Sequence, residues 1–218
     1  TEWEAAQSVW LWRDGSPSMS YRSSDNLRSK IERADMLLLA LASLLIRGGE
    51  HVAILGAGMP PATGRGMLIR LWSMIEVQDK KAETLHDSLP AFEPLPRYGR
   101  VVLIGDFLSP LEEIREAIGV FANQGVRGHL LQVLDPAEET LPFSGRVRFE
   151  GMEDEGDVLI GRVESMRDDY LQAFHRHNQS LEALARSFGW SYAVHHTDHS
   201  PETSLLALYL VLSEKTGD

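Results

Sequence analysis

The sequence predicts an α/β protein, a doubly wound and mostly parallel sheet with helices on both faces, and three observations carry that expectation. Strand-like and helix-like stretches alternate along almost all of the 218 residues, which is the order a parallel sheet with crossover helices requires. The segment Arg100 to Ile104 holds an unbroken apolar run, as in strands covered on both faces at the centre of such a sheet. The first and third strand-like stretches stop at turn residues, Asp14-Gly15-Ser16-Pro17-Ser18 and Gly105-Asp106, where an open sheet presents its carboxyl edge.

Each element has its own justification. Ser8 to Arg13 (SVWLWR) is aromatic and β-branched and reads as the first strand. From Asn26 to Ile46 the residues Leu27, Ile31, Ala34, Leu38, Leu41 and Leu45 recur at helical spacing, and Gly48-Gly49 ends the helix. His51 to Leu55 is the second strand, followed by a loop, Gly56 to Thr63, that two prolines keep from being helical. A helix is expected from about Gly64 to Ile75, then a charged amphipathic stretch near Asp79 to Ser88 and a connection broken by Pro90, Pro94 and Pro96. After the strand Arg100 to Ile104, Ser109-Pro110 starts a helix to about Asn123 with Pro110 at its first position, where the missing N–H costs nothing. Gly128 to Leu134 is the next strand. Short β-like pieces, Arg146 to Phe149 and Asp157 to Ile160, flank the acidic run Glu153-Asp154-Glu155. A long helix from about Glu164 to Phe188, a last strand Ser191 to His196 and a helix opened by Ser200-Pro201-Glu202 and running to about Glu214 complete the pattern.

The length suits one domain, residues 1–218, and a composition of 43% hydrophobic and 24% charged residues supports a real core. The chain begins at Thr1 without an initiator Met or a leader, so it is expected to be a processed product or a piece of a longer protein. Its 21 Lys and Arg against 32 Asp and Glu give a net charge of −11. Without a local basic patch, that charge argues against nucleic acid and anionic lipid as partners. The longest uncharged apolar run, Met36 to Ile46, is about half of the roughly 20 residues a membrane span needs. The absence of cysteine excludes disulfides, thiolate metal sites and Cys nucleophiles; it fits a reducing compartment, and a cytoplasmic location is the expectation.

Chemistry concentrates at the two strand ends. Asp14, Ser16 and Ser18 fall at alternate positions after the first strand, and Asp106 ends the apolar strand that a doubly wound sheet can lay beside it. Carboxylates and hydroxyls together form an oxygen-only donor set of the kind that suits a hard cation such as Mg²⁺. The same residues also make a good turn, which is the plainer reading.

These residues, with the Thr-Gly-Arg-Gly segment Thr63 to Gly66, resemble the metal-ion-dependent adhesion site of von Willebrand factor A domains. More narrowly, Val101 to Gly151 and the segment Gly189-Trp190-Ser191-Tyr192 are similar to a bacterial A-domain-like family of unknown function often encoded beside MoxR-type AAA+ ATPases. The resemblance spans Trp3 to Ser213 and implies a Rossmann-like sheet. It further implies that Ser16 and Ser18 coordinate Mg²⁺ or Mn²⁺ through hydroxyls, that Thr63 joins from the second loop, and that Asp14 and Asp106 act directly or through water. By the same resemblance, an acidic residue of a protein partner, a MoxR-type ATPase or its client, would fill the open coordination position. Gly105-Asp106-Phe107 stands where A domains commonly have Thr-Asp-Gly, and the hairpin before Thr63 is trimmed to Gly56 to Pro61.

Other features read as structural. Gly56-x-Gly58 lacks the third glycine of a dinucleotide-binding turn and is read as a tight turn. His195, His196 and His199 near Asp198 are read as a solvated strand end, since adjacent strand residues point to opposite faces. His175 and His177 are read as helix surface, and Trp3, Trp10 and Trp12 as core or interface. The expected function is therefore a protein-binding module and not a catalyst. Two alternatives stand beside it: a metal-dependent hydrolase on the same acids, for which the three loops supply only Arg65, and an A-like scaffold with a decayed metal site.

Overall fold

In the computed structural model, which describes residues 7–82, 88–150 and 156–213, the chain is organised around one parallel sheet. Five strands build it: β1 (Ser8–Arg13), β2 (His51–Ile54), β3 (Arg100–Gly105), β4 (Arg127–Leu134) and, after two short strands outside this sheet, β7 (Ser191–His196). Their spatial order is β2-β1-β3-β4-β7 and every pairing is parallel. The chain leaves β1 towards β2 on one side and leaves β3 towards β4 on the other, so the topological switch point lies between β1 and β3. Ligands of open α/β sheets bind at the carboxyl ends of such a pair. This is the doubly wound arrangement that the sequence predicts, with strand limits within a residue of expectation.

Strand residues alternate between two cores, as the period of two demands. Val9, Leu11, Val102, Ile104, Leu131 and Val133 face one side and pack under α1 (Lys30–Arg47), α2 (Arg65–Ala82) and α6 (Pro201–Ser213). Trp10, Trp12, Val101, Leu103 and Leu130 face the other and pack under α3 (Leu111–Asn123) and α5 (Arg167–Ser187). Trp10 and Trp12 are thus core residues, whereas Trp3 and the acidic run Glu153 to Glu155 lie outside the described residues.

Several helix limits differ from the pattern-based ones for local reasons. α1 starts at Lys30 because Ser29 and Glu32 form a reciprocal capping box that fixes its entry. α2 continues to Ala82, since the stretch after Ile75 (EVQDKKA) contains mostly good helix formers; the rest of the amphipathic stretch, residues 83–87, lies outside the described residues. Pro110 occupies the cap position of α3 instead of the first helical one. A short helix that periodicity does not show, α4 (Pro136–Thr140), is set by a second capping box between Asp135 and Glu138. The pieces after it pair antiparallel as a separate hairpin, β5 (Val147–Glu150) and β6 (Asp157–Ile160).

The histidine readings also change. His195 is 2% exposed, its Nδ1 shares a hydrogen bond of 3.0 Å with Ser204 Oγ, and burial, then Arg33, presses its pKa down to about 4. It belongs to the packing between strand and helix and is not a solvated end. Gly56 and Gly58 do adopt left-handed φ values of 83° and 64°, as a tight turn requires. Among the described residues no helix is long and apolar enough to cross a membrane.

One close approach fixes β4 against the strand beside it. A Cβ built on Gly128 would sit 2.0 Å from the Trp190 indole, whose Nε1 donates to the Val126 carbonyl at 3.2 Å. Gly128→Ala is therefore expected to displace Trp190 and to destabilise the protein by about 1–3 kcal/mol or more; a lowered midpoint with unchanged slope in urea unfolding checks this.

Candidate functional site at the strand switch point

The site begins with how closely β1 and β3 approach. Arg13 pairs with Ile104 in register, and the Asp14 amide donates to the Ile104 carbonyl at 2.8 Å. Asp14 then lies against Gly105, where an added Cβ would be 2.7 Å from the Asp14 Cβ. A glycine at 105 is what lets this carboxylate enter beside β3. Asp106 follows at once, and its backbone is held by Gln132 Nε2, which donates to the Asp106 carbonyl at 2.9 Å.

Phe107 takes φ 53°, the left-handed conformation that a glycine would adopt without strain. Its ring is 1% exposed and belongs to the core under α3 and α5, so packing offsets the backbone cost. His177, expected at the helix surface, is engaged here: its Nε2 lies 2.7 Å from the Phe107 carbonyl.

A chain of hydrogen bonds joins the first loop to the third. The Ser16 amide donates to Asp14 Oδ1 at 2.8 Å, Ser16 Oγ and Ser18 Oγ are 3.0 Å apart, and Ser18 Oγ donates to Asp106 Oδ2 at 2.7 Å. A lysine that the loop motifs do not reveal enters the same cluster. Lys30 Nζ, on a side chain 1% exposed, lies 2.9 Å from Asp106 Oδ2 and 2.5 Å from Glu138 Oε1. Glu138 in turn accepts the Asp135 amide at 2.8 Å.

Burial and charge act on these groups in different directions. Asp14 is fully buried, and desolvation, then the neighbouring Asp106 charge, raises its pKa to about 7 against the pull of Ser16 and Lys30. Its Oδ2 has no hydrogen-bond partner. For Lys30, burial favours the neutral amine, but Asp106 and Glu138 outweigh it and hold the ammonium above its ordinary value.

The cluster opens into a cavity of about 470 Å³. Ser16, Ser18, Lys30, Asp106 and Glu138 line one part of it, and Leu141, Phe143, Phe149 and Tyr170 another. Of the sequence-derived site residues, Asp14, Ser16, Ser18 and Asp106 come together. Thr63 does not join them: it is exposed and follows Ala62, which pairs antiparallel with Val52. That short bridge carries the second loop back along β2 instead of across the carboxyl edge. The hydroxyl that lines the cavity from the connection before β3 is Ser88, which accepts from Ser109 Oγ at 2.9 Å. Lys30 was detectable in principle, because it starts the buried stripe continued by Ala34, Leu37, Leu38 and Leu41.

Among the described residues no three His, Cys, Asp or Glu side chains gather as a ready-made metal site. A hard cation would therefore have to rely on one or two carboxylates, serine hydroxyls and water. Such a donor set suits Mg²⁺, and the buried Asp14 Oδ2 is the oxygen of the set that has no hydrogen-bond partner.

A family model described as "Protein of unknown function DUF58" matches residues 1–180. No protein of curated function matches. Among solved structures, the chain is similar to the conserved hypothetical protein BatB from Bacteroides thetaiotaomicron (17% identity, 95% of this chain and 98% of that one, TM-score 0.49). It is also similar to an aerotolerance-related membrane protein from Bacteroides fragilis (15%, 94% and 98%, TM-score 0.47) and to the SpRpn10 VWA domain (7%, 94% and 95%, TM-score 0.43).

The buried Asp14 makes stability depend on pH with a definite sign. Its folded pKa, about 7, lies above its ordinary 3.8, so the folded state keeps a proton that the unfolded state releases. The corresponding stabilisation is complete below the ordinary value and is lost as pH rises through the folded one. Relative to Asp14→Asn, the wild-type protein is therefore expected to lose on the order of 4 kcal/mol between pH 4 and pH 8 without added metal. Denaturant unfolding of both proteins across that range measures the difference.

Proposed function

Because the chain belongs to the DUF58 family of proteins of unknown function, we propose that it is a protein-binding module of the A-domain kind. In this reading a divalent cation, Mg²⁺ or Mn²⁺, is held at the switch point by Asp14, Ser16, Ser18 and Asp106, and it receives an acidic side chain of a protein partner. The observation that carries the reading is the buried Asp14 Oδ2 without a partner, beside a second carboxylate and two hydroxyls at the edge of an open cavity. When bound, the cation supplies a positive centre for an incoming carboxylate. The chain's own residues do the rest: the Ser16 amide orients Asp14, Ser18 orients Asp106, and Gly105 lets the two acids share one space. The resemblance to proteins encoded beside MoxR-type ATPases makes such an ATPase, or a protein it remodels, the partner to try first.

A hydrolase built on the same acids needs a proton acceptor in the cavity. A lysine is present there, but Asp106 and Glu138 hold Lys30 as the ammonium, which cannot accept a proton. The two carboxylates of the cluster that line the cavity are themselves engaged by that ammonium, which favours binding over hydrolysis.

Isothermal titration at pH 7 with Mg²⁺ and with Mn²⁺ tests the proposal. Saturable binding is expected, accompanied by proton release seen as a dependence of the heat on buffer ionisation enthalpy. Asp14→Ala should abolish it, and Thr63→Ala should leave it intact. No binding at millimolar ion, or binding unchanged in Asp14→Ala, overturns the metal claim.

A further inference from the structure

Lys30 is the feature of the cavity that neither the loop motifs nor the proposed ligand set uses. It is the first residue of α1, and its amide donates to the Tyr21 carbonyl at 3.2 Å, so the side chain leaves a fixed point directed at the switch point. Among the described residues lining the cavity it is the one Lys or Arg. Its ammonium lies within hydrogen-bond distance of carboxylates from two different loops, Asp106 after β3 and Glu138 in α4.

The two acids of the cation site are treated unequally. Asp106 Oδ2 receives both Ser18 Oγ and Lys30 Nζ, and its Oδ1 receives the Leu108 amide at 3.3 Å. Asp14 has one oxygen bonded to Ser16 and the other without any partner. The positive charge already present is therefore spent on Asp106 and Glu138. With all three carboxylates ionised, Asp14, Asp106 and Glu138 against one ammonium leave two negative charges. A divalent ion would match that excess, but it would have to share Asp106 with Lys30.

We propose that Lys30 is a resident counter-ion of the cation site, which holds Asp106 and Glu138 in place without metal and competes with a divalent ion for Asp106. This rests on the metal-site reading given above. It assigns Lys30 the role of setting how tightly the ion is held: the buried ammonium lets the three loops stay assembled when no ion is present and lowers the affinity when one arrives. Unpaired charges at this depth would otherwise be strongly destabilising.

The test compares wild-type protein with Lys30→Gln and with the double variant Lys30→Gln/Glu138→Gln. Titration with Mn²⁺ and thermal unfolding in EDTA and in Mn²⁺ are measured for each. Lys30→Gln is expected to bind Mn²⁺ tighter by on the order of tenfold or more, to unfold at a lower temperature than wild type in EDTA, and to regain more stability than wild type when Mn²⁺ is added. The double variant removes one charge of each sign, leaves Asp106 free of the ammonium and avoids a stranded Glu138. It should fold and still bind more tightly than wild type.

The outcomes separate the two claims. Tighter binding by both variants supports the competition. Tighter binding by the single variant alone reduces Lys30 to a distant charge and overturns it. Affinity equal to or weaker than wild type in Lys30→Gln also overturns it while leaving the metal-site reading intact. Binding by the variants but not by wild type supports the competition in its extreme form, with the ammonium excluding the ion, and ends the metal-bridge reading for the native protein. If folded variants and wild type all fail to bind, both ideas fall. If Lys30→Gln does not fold in EDTA, the double variant decides by the same comparison.

Discussion

The burial of two carboxylates side by side, where β1 and β3 end, is the constraint to which the surrounding structure answers. Asp14 can lie against β3 because residue 105 has no side chain, and Asp106 follows one residue later. Two acids sealed in this way cost far more than local turn chemistry returns unless their oxygens are bonded and their charge is balanced. The hydroxyls of the first loop, the Gln132 amide, the left-handed turn at Phe107 and the ammonium of Lys30 all serve that requirement from different parts of the chain.

β3 acts as the spine between the ends of the sheet. At its start Arg100 is buried, and Nη1 donates to the carbonyls of Val211 and Leu212 at 2.9 Å and 2.7 Å, which satisfies the last turn of α6. At its end stand Gly105 and Asp106. One strand of six residues thus secures a helix terminus at one edge and the acidic cluster at the other. Its apolar middle, Val101 to Ile104, feeds the two cores in turn. Beside it, Arg13 ends β1 with an ion pair of 2.8 Å to Asp35 on α1, which ties the same edge to the helix that carries Lys30.

How much of this was legible in the sequence depends on whether the determining contact was local. Strands show themselves by composition and alternation, and Ser191 to His196 is placed to the residue. Asp14, Ser16, Ser18 and Asp106 were legible because strand ends at a switch point are adjacent by topology. Thr63 was not, because its position turns on a single bridge between Ala62 and Val52 that no motif announces. α4 was hidden by its length, although Asp135-Pro136-Ala137-Glu138 is itself a capping signature. Lys30 is not legible as a site residue, because a charged residue next to a helix cap is normally solvated. Only the stripe of apolar residues behind it shows that it points inward, and only the fold shows what it meets there.

Asp135 gives the carboxyl edge a property of its own. Fully buried, it caps α4 through the Ala137 amide at 2.9 Å and also accepts the Ser23 amide, from the loop after β1, at 2.9 Å. Glu138, three residues on, completes that cap and grips Lys30 at the head of α1. The loops after β1, β3 and β4 are thereby knotted through shared side chains, although more than a hundred residues of sequence separate Ser23 from Asp135. Segments so joined do not fray one by one. They are expected to open as a single cooperative unit of local unfolding, with their amides exposed together, so that whatever loosens one corner of the site loosens its whole rim.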